Sequence, residues 1–192
     1  FALAELAFLH GQAAAKPEAE LSMQSRAKLA AGTRDLYKVT AMHLDARDLR
    51  GTSIAKTMLP AARALAEYYA AEAEMLQAEI EQRSNHWGVH VARLRTASEA
   101  ITRAQQYVGE FALGSSAYEE IAPVLNAKFK SCNELYAEAL DRNNRIFYDS
   151  VPESVALVVG HRMVEPNSTV SVMFSTTLED PTLLPLVQLH DR

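Results

Sequence analysis

His86 and His90 stand four residues apart, a spacing that turns two imidazoles toward one side of a helix and so toward one metal ion. Zinc needs further ligands, and no acidic or histidine residue falls where it would complete the set. Gly88 between the pair also weakens the local helix. The di-iron alternative requires Glu-x-x-His on two helices, a pattern this sequence does not contain. His90 reads more simply as a residue beside a packing seam. Glu67, Glu72, Glu74, Glu79 and Glu81 form a second candidate cluster, but they flank an apolar stripe and read as a solvated helix face.

Cys132 is the single cysteine. It falls on the core side of its helix, where a thiol is an inert buried group rather than a nucleophile. No internal disulfide is open to it. The chain carries no phosphate-cradling Gly-Lys loop, no Gly-x-Ser-x-Gly elbow and no dinucleotide fingerprint. Asn167-Ser168-Thr169 fits a glycosylation acceptor, which a chain in the cytosol would never use. The residues therefore predict no catalysis, no metal, no cofactor and no small-molecule substrate.

Composition narrows the partners. A formal charge of −5 over 192 residues argues against general nucleic-acid affinity, and against a purely electrostatic membrane binder, because the surplus of Lys and Arg is missing. No apolar run approaches the roughly 18 to 20 residues that cross a bilayer. Phe1 opens into a helix-like pattern without a basic n-region or cleavage site, so a reducing cytosol is expected. A start on Phe rather than Met also points to residues upstream. At this length, with about half of the residues hydrophobic, one substantial core is the default.

The elements that would position any site are mostly helical. Residues 2–15 and 18–46 are rich in Ala, Leu and Glu and read as two helices, punctuated at Lys16-Pro17. After the break at Arg50-Gly51-Thr52-Ser53, Met58, Ala62, Leu65, Tyr69, Ala73, Leu76 and Ile80 recur at steps of three and four. They predict a helix over 54–83, with a kink or a late start at Pro60. Trp87, Leu94, Ile101 and Val108 are seven apart, with His90, Ala97, Ala104 and Phe111 as companions, which makes a helix–helix seam. Gly114 is expected to stop it. Ser116 and Glu119 have capping-box spacing and open a last helix to about 143, whose buried face is Tyr118, Ile121, Leu125, Cys132, Tyr136 and Leu140. Short connections make neighbours antiparallel.

The last 45 residues change character. VALVVGHRMVEPNSTVSVMF is β-branched without helical period, yet a helical body offers no sheet to join and an isolated pair of strands is marginal. The tail is expected to lie extended along the helices. Between body and tail runs NNRIFYDSVP (143–152). Asn143 and Asn144 tolerate the left-handed turn at a helix end, and Pro152 pushes Val151 to an extended conformation. Ile146, Phe147, Tyr148, Val151 and Pro152 form a helix-to-tail anchor. The expected organisation is one domain over 1–192, with a helical body at 1–143 and a tail at 144–192.

Four segments together resemble the C-terminal half of the Bro-one domain, the curved helical module of ALIX and its relatives. WGVHVARLRTASEAI (87–101) is similar to the family's aromatic-Gly-x-x-Ile-Ala-Arg-Leu-x-x-Ala segment. NNRIFYDSVP resembles its Asn-x-x-Ile-Tyr-x-x-x-Val-Pro signature. VGHRMVEPNSTVSVMF (159–174) resembles the family's Ile-Gly-Lys segment leading into Val-Lys-Pro, and AKLA (27–30) matches one member outright. The resemblance implies an all-α, irregular tetratricopeptide-like stack that lacks the family's N-terminal half, and a non-catalytic cytoplasmic scaffold of the ESCRT pathway, recruited to endosomes.

It further implies that a groove receives the amphipathic C-terminal helix of an ESCRT-III subunit, with room for peripheral contact with the endosomal membrane. Carried over through AKLA, the receptor stripe falls on Leu21, Ser25 and Leu29. Ser25 replaces a large aliphatic residue of known binders, and the reading of Leu21 and Leu29 as core positions stands beside the functional one. The departure at Ser25 also keeps open a divergent signalling scaffold of the pH-sensing or phosphatase-associated kind. By count from Val151-Pro152, the family tyrosine falls on Phe147, and Tyr148 is displaced by one position.

Overall fold

The computed structural model describes residues 7, 9, 11, 12, 15, 21–46, 49–110 and 116–161. Among these, four long helices follow one another: α1 (Met23–Leu44), α2 (Ser53–Arg83), α3 (Trp87–Val108) and α4 (Ser116–Arg142). A single turn of π-helix, Asn143–Phe147, closes α4. Ala7, Leu9, Gly11 and Gln12 are also helical, and no described residue is in a strand. α1 packs on α2, α2 on α3 and α3 on α4. Three residues separate α2 from α3, too few to reach the far end of a helix, so the chain must double back.

Small side chains set the spacing of the stack. Ala27, Ala30 and Ala31 of α1, Ala62, Ala66, Ala73 and Ala78 of α2, and Ala92, Ala97 and Ala104 of α3 are buried. They let the helices approach closely while Leu36, Ile101 and Leu125 fill the remaining volume. Each such Leu or Ile contributes on the order of 1.5–3 kcal/mol by leaving water. The helix starts are capped locally. Ser22 Oγ accepts the Ser25 N–H at 3.2 Å, and Thr52 Oγ1 accepts the Ala55 N–H at 3.2 Å while donating to the Leu49 carbonyl at 2.7 Å. Gly51, at φ 92°, makes the left-handed turn before Thr52.

Several boundaries differ from the sequence expectation. α1 begins at Met23, behind its Ser22 cap, rather than at 18; residues 16–20 lie outside the described ones. Pro60 does not delay α2, which starts at Ser53 with Pro60 buried inside it. Burial of the ring offsets the one hydrogen bond that its missing N–H forfeits. α3 ends at Val108, before Gly109, where glycine has the most conformational freedom to lose. Gly114, the expected stop, lies outside the described residues, as does Phe111.

Of the five α2 carboxylates, Glu79 is at the surface, 48 % exposed, but three are drawn to other helices. Glu67 pairs with Arg103 at 2.9 Å, Glu72 with Lys128 at 2.5 Å and Glu74 with Arg93 at 2.7 Å. The reason is position: α2 has neighbours on both sides, so acids spread around it meet cations of α3 and α4. Glu74 is buried, with 1 % of its side chain exposed.

The described part of the tail, to residue 161, forms neither helix nor strand and packs across α3, α2 and α1. Val158 donates its N–H to Glu74 Oε1 at 3.0 Å, and its carbonyl accepts from Arg34 at 3.2 Å. Arg93 donates to the Ala156 carbonyl, Arg95 to those of Pro152 and Glu153, and the His161 N–H reaches the Lys28 carbonyl at 2.9 Å. At the crossing with α1 two glycines face each other: a Cβ on Gly32 would lie 2.2 Å from the His161 carbonyl oxygen, and one on Gly160 would lie 2.8 Å from the Gly32 nitrogen. The tail beyond 161 lies outside the described residues.

Removing one partner of a buried ion pair costs about 3–5 kcal/mol, because the other charge is left uncompensated. Glu74→Ala should show a loss of that size in urea unfolding, and Glu74→Gln, which keeps an acceptor for Val158, a smaller one.

Candidate functional site

α3 begins without a cap of its own: His86 precedes it and makes no side-chain bond to its first turn. The N–H groups of Trp87 and Gly88 would otherwise have no partner. Asp149 Oδ2 accepts from both, at 3.1 and 3.4 Å, and places a carboxylate at the positive end of the helix. Asn143 holds Asp149 there. Its buried amide donates from Nδ2 to the Asp149 carbonyl at 2.9 Å and accepts the Asp149 N–H on Oδ1 at 3.3 Å. Gly88 leaves the space for this approach, since a Cβ there would stand 2.0 Å from the Ser150 carbonyl oxygen.

The π turn closes the same joint. The Tyr148 N–H reaches back to the Asn143 carbonyl at 2.7 Å, the wide i→i+5 spacing. Phe147 stacks on Trp87 with ring centroids 3.8 Å apart and planes 3° apart. The Arg142 guanidinium lies 5.1 Å from the indole centroid and 5.4 Å from the Phe147 ring. An aromatic pair of this kind contributes about 0.5–1.5 kcal/mol beyond its buried area.

Of the five anchor residues read from the sequence, Phe147, Val151 and Pro152 lie against the body. Ile146 and Tyr148 point away, 62 % and 75 % exposed. The left-handed residue is Tyr148, at φ 57°, not Asn143 or Asn144, which sit inside the π turn. The sequence reading missed the clamp Asn143 and the cap Asp149. The signal was a helix start at Trp87 with no capping side chain before it.

The histidines are spoken for. His90 Nδ1 donates to the Ala78 carbonyl at 2.8 Å, and His86 Nδ1 meets Glu81 Oε2 at 3.0 Å. Among the described residues no group of three or more His, Cys, Asp or Glu could hold a metal ion. Burial pushes the Cys132 thiol up to about 11, with Lys128 pulling it down and Glu72 raising it. Its Sγ lies 3.1 Å from Met75 Sδ.

An open groove of about 410 Å³ is lined by α2, α3 and α4, with Arg26 of α1 beside them. None of the described tail residues lines it, although Leu76 belongs to the cluster on which Val158 packs. Leu76 and Met75 of α2, Leu94 of α3 and Leu135 of α4 form its apolar floor. Glu79 and Glu138 on one hand, and Arg26 and Arg142 on the other, supply both signs of charge at its rim.

A protein-family model, the BRO1-like domain, matches residues 2–185. The chain belongs to that family. No curated protein matches it significantly. BRO1-like domains are helical modules that act as protein-interaction scaffolds, and no helix among the described residues is long and apolar enough to cross a membrane. In this BRO1-like chain Leu29 is buried, 6 % exposed, in a cluster with Ala30, Ala31 and Ala73. Leu21, half-buried, packs on the same cluster, and so does Val158 of the tail. Ser25, also half-buried, bonds instead to Ser22, Oγ to Oγ at 2.9 Å. Leu21 and Leu29 of the stripe carried over from the family thus share a cluster with the chain's own tail.

Asn143→Ala should destabilise by about 1–3 kcal/mol, because the two part-buried bonds to the Asp149 backbone are lost. Tyr148→Gly should be neutral or stabilising, since glycine adopts φ 57° without the roughly 1 kcal/mol penalty of an L side chain; chemical denaturation of both variants checks the contrast. Cys132 should resist iodoacetamide at pH 8 in the folded protein and react once urea unfolds it, as mass spectrometry would register.

Proposed function

We propose that this BRO1-like chain is a non-catalytic scaffold of the ESCRT pathway, cytoplasmic and recruited to endosomes, which holds the amphipathic C-terminal helix of an ESCRT-III subunit. The observation that carries the reading is the groove over α2. An amphipathic helix needs an apolar floor for its anchors and a charged rim for its polar face, and Met75, Leu76, Leu94 and Leu135 stand between carboxylates and guanidinium groups. Nothing in the groove calls for chemistry: its histidine, His90, is tied to a backbone carbonyl.

The resemblance favours a second seat, at Leu21, Ser25 and Leu29. There the incoming helix has to displace Val158 or bind beside it, because Val158 packs on the same cluster. Leu29 is a poor probe of that seat, since an aspartate in its place would disturb the core.

Titration of a fluorescent peptide from the C-terminus of an ESCRT-III subunit tests both seats. Leu135 is 41 % exposed, so Leu135→Asp should leave the fold intact and weaken binding about thirty-fold or more, the loss of one anchor worth about 2 kcal/mol. Loss with Leu21→Asp instead, in a variant that melts like the parent, moves the helix to the tail side. A peptide that does not bind the parent chain removes the ESCRT-III assignment.

A further inference from the structure

Most of the charged side chains that line the groove already have partners. Glu72 is bonded to Lys128 and Glu79 to Arg83, and Arg26 is engaged as well. Two residues of α4 differ. Glu138 and Arg142 stand four apart, acid before base, an order that ordinarily forms an ion pair along a helix. The neighbouring pairs Lys130–Glu134 and Asp141–Arg145 do form. Arg142 is instead drawn to the rings of Trp87 and Phe147, 5.1 and 5.4 Å from their centroids. Neither Glu138 nor Arg142 has an ion pair among the described residues, and both line the groove beside Leu135 and Ala139. Positions 135, 138, 139 and 142 recur at steps of three and four, so α4 turns its apolar anchor and both charges to one face.

We propose that Glu138 and Arg142 select the helix that docks in the groove by a matching pair of opposite charges, a base set against Glu138 and, one turn away, an acid set against Arg142. This selection presupposes the groove reading above and adds to it what the docked helix must carry beside its apolar anchors. Between Glu72 and Gln82 the α2 wall of the groove is about 15 Å long, roughly three turns of a partner helix. Glu138 and Arg142 are about 6 Å apart along their axis, the separation of residues i and i+4 on a helix laid beside them. The two rings hold the guanidinium in place, so little of its freedom remains to be lost on pairing. A helix with two acids at those positions sets one of them against Glu138, and a helix with two bases sets one against Arg142. Such like-charge contacts are how an interface rejects a partner whose anchors fit.

The probes are three fluorescent amphipathic peptides, capped at both ends, with the same leucine stripe on an alanine and glutamine background. At two positions four apart beside the stripe, the first carries one Glu and one Lys, the second two Glu and the third two Lys. In titrations of the full chain the mixed peptide should bind about tenfold more tightly than either of the others, since a matched pair is exchanged for a repulsion. Salt at about 1 M should narrow the gap. Glu138 is exposed, so Glu138→Arg should fold, and it should move the preference to the peptide with two Glu. Equal binding of the three peptides by the parent chain, or an order that Glu138→Arg leaves unchanged, overturns the proposal. If that binding is still lost in Leu135→Asp, the groove reading survives the failure. Absence of binding by all three removes the proposal and the groove reading together. Should Glu138→Arg fail to fold, the order of the three peptides on the parent chain decides alone.

Discussion

A carboxylate with almost no access to water governs this molecule. Glu74 sits in the middle of α2, between α1 and α3, and an ionised acid there is tolerable only with a cation and further hydrogen bonds around it. Arg93 supplies the cation from α3, and the tail supplies the rest through the Val158 N–H. Arg93 then turns a further N–H to the Ala156 carbonyl, so the charge that fastens α3 to α2 also fastens the tail to both. The tail is thereby held in one place.

The same logic of supplying a missing partner from a distance recurs at the end of α4. An uncapped helix start at Trp87 and a tail that has to begin somewhere satisfy each other through Asp149, with Asn143 as the clamp and the Phe147–Trp87 stack as the apolar seal. This gives a physical account of the family signature. Its asparagine, aromatic and Val-Pro positions join tail to body, and the residues between them, Ile146 and Tyr148, are left outside. Where the chain crosses itself most closely, at Gly88 and at the facing pair Gly32 and Gly160, a side chain would collide with backbone.

Much of this was legible in the residues alone. The steps of three and four in α2, the sevenfold spacing of Trp87, Leu94 and Ile101, and the lack of helical period after Pro152 define helices and an extended tail, because side-chain periodicity is a local consequence of backbone geometry. The kinship was legible too, in short motifs whose order is a property of the chain. What the sequence could not decide is which polar residues meet. Glu74 and Arg93 are 19 positions apart, Asp149 and Trp87 are 62, and Glu74 reads like any of its acidic neighbours until α1, α3 and the tail close over it. Leu29 likewise looks the same as a groove residue or a core residue along the helix; the cluster it forms with Ala73, with Tyr69 and Val158 packed on it, places it inside. Burial depends on what arrives from elsewhere in the chain, and that is settled by tertiary structure alone.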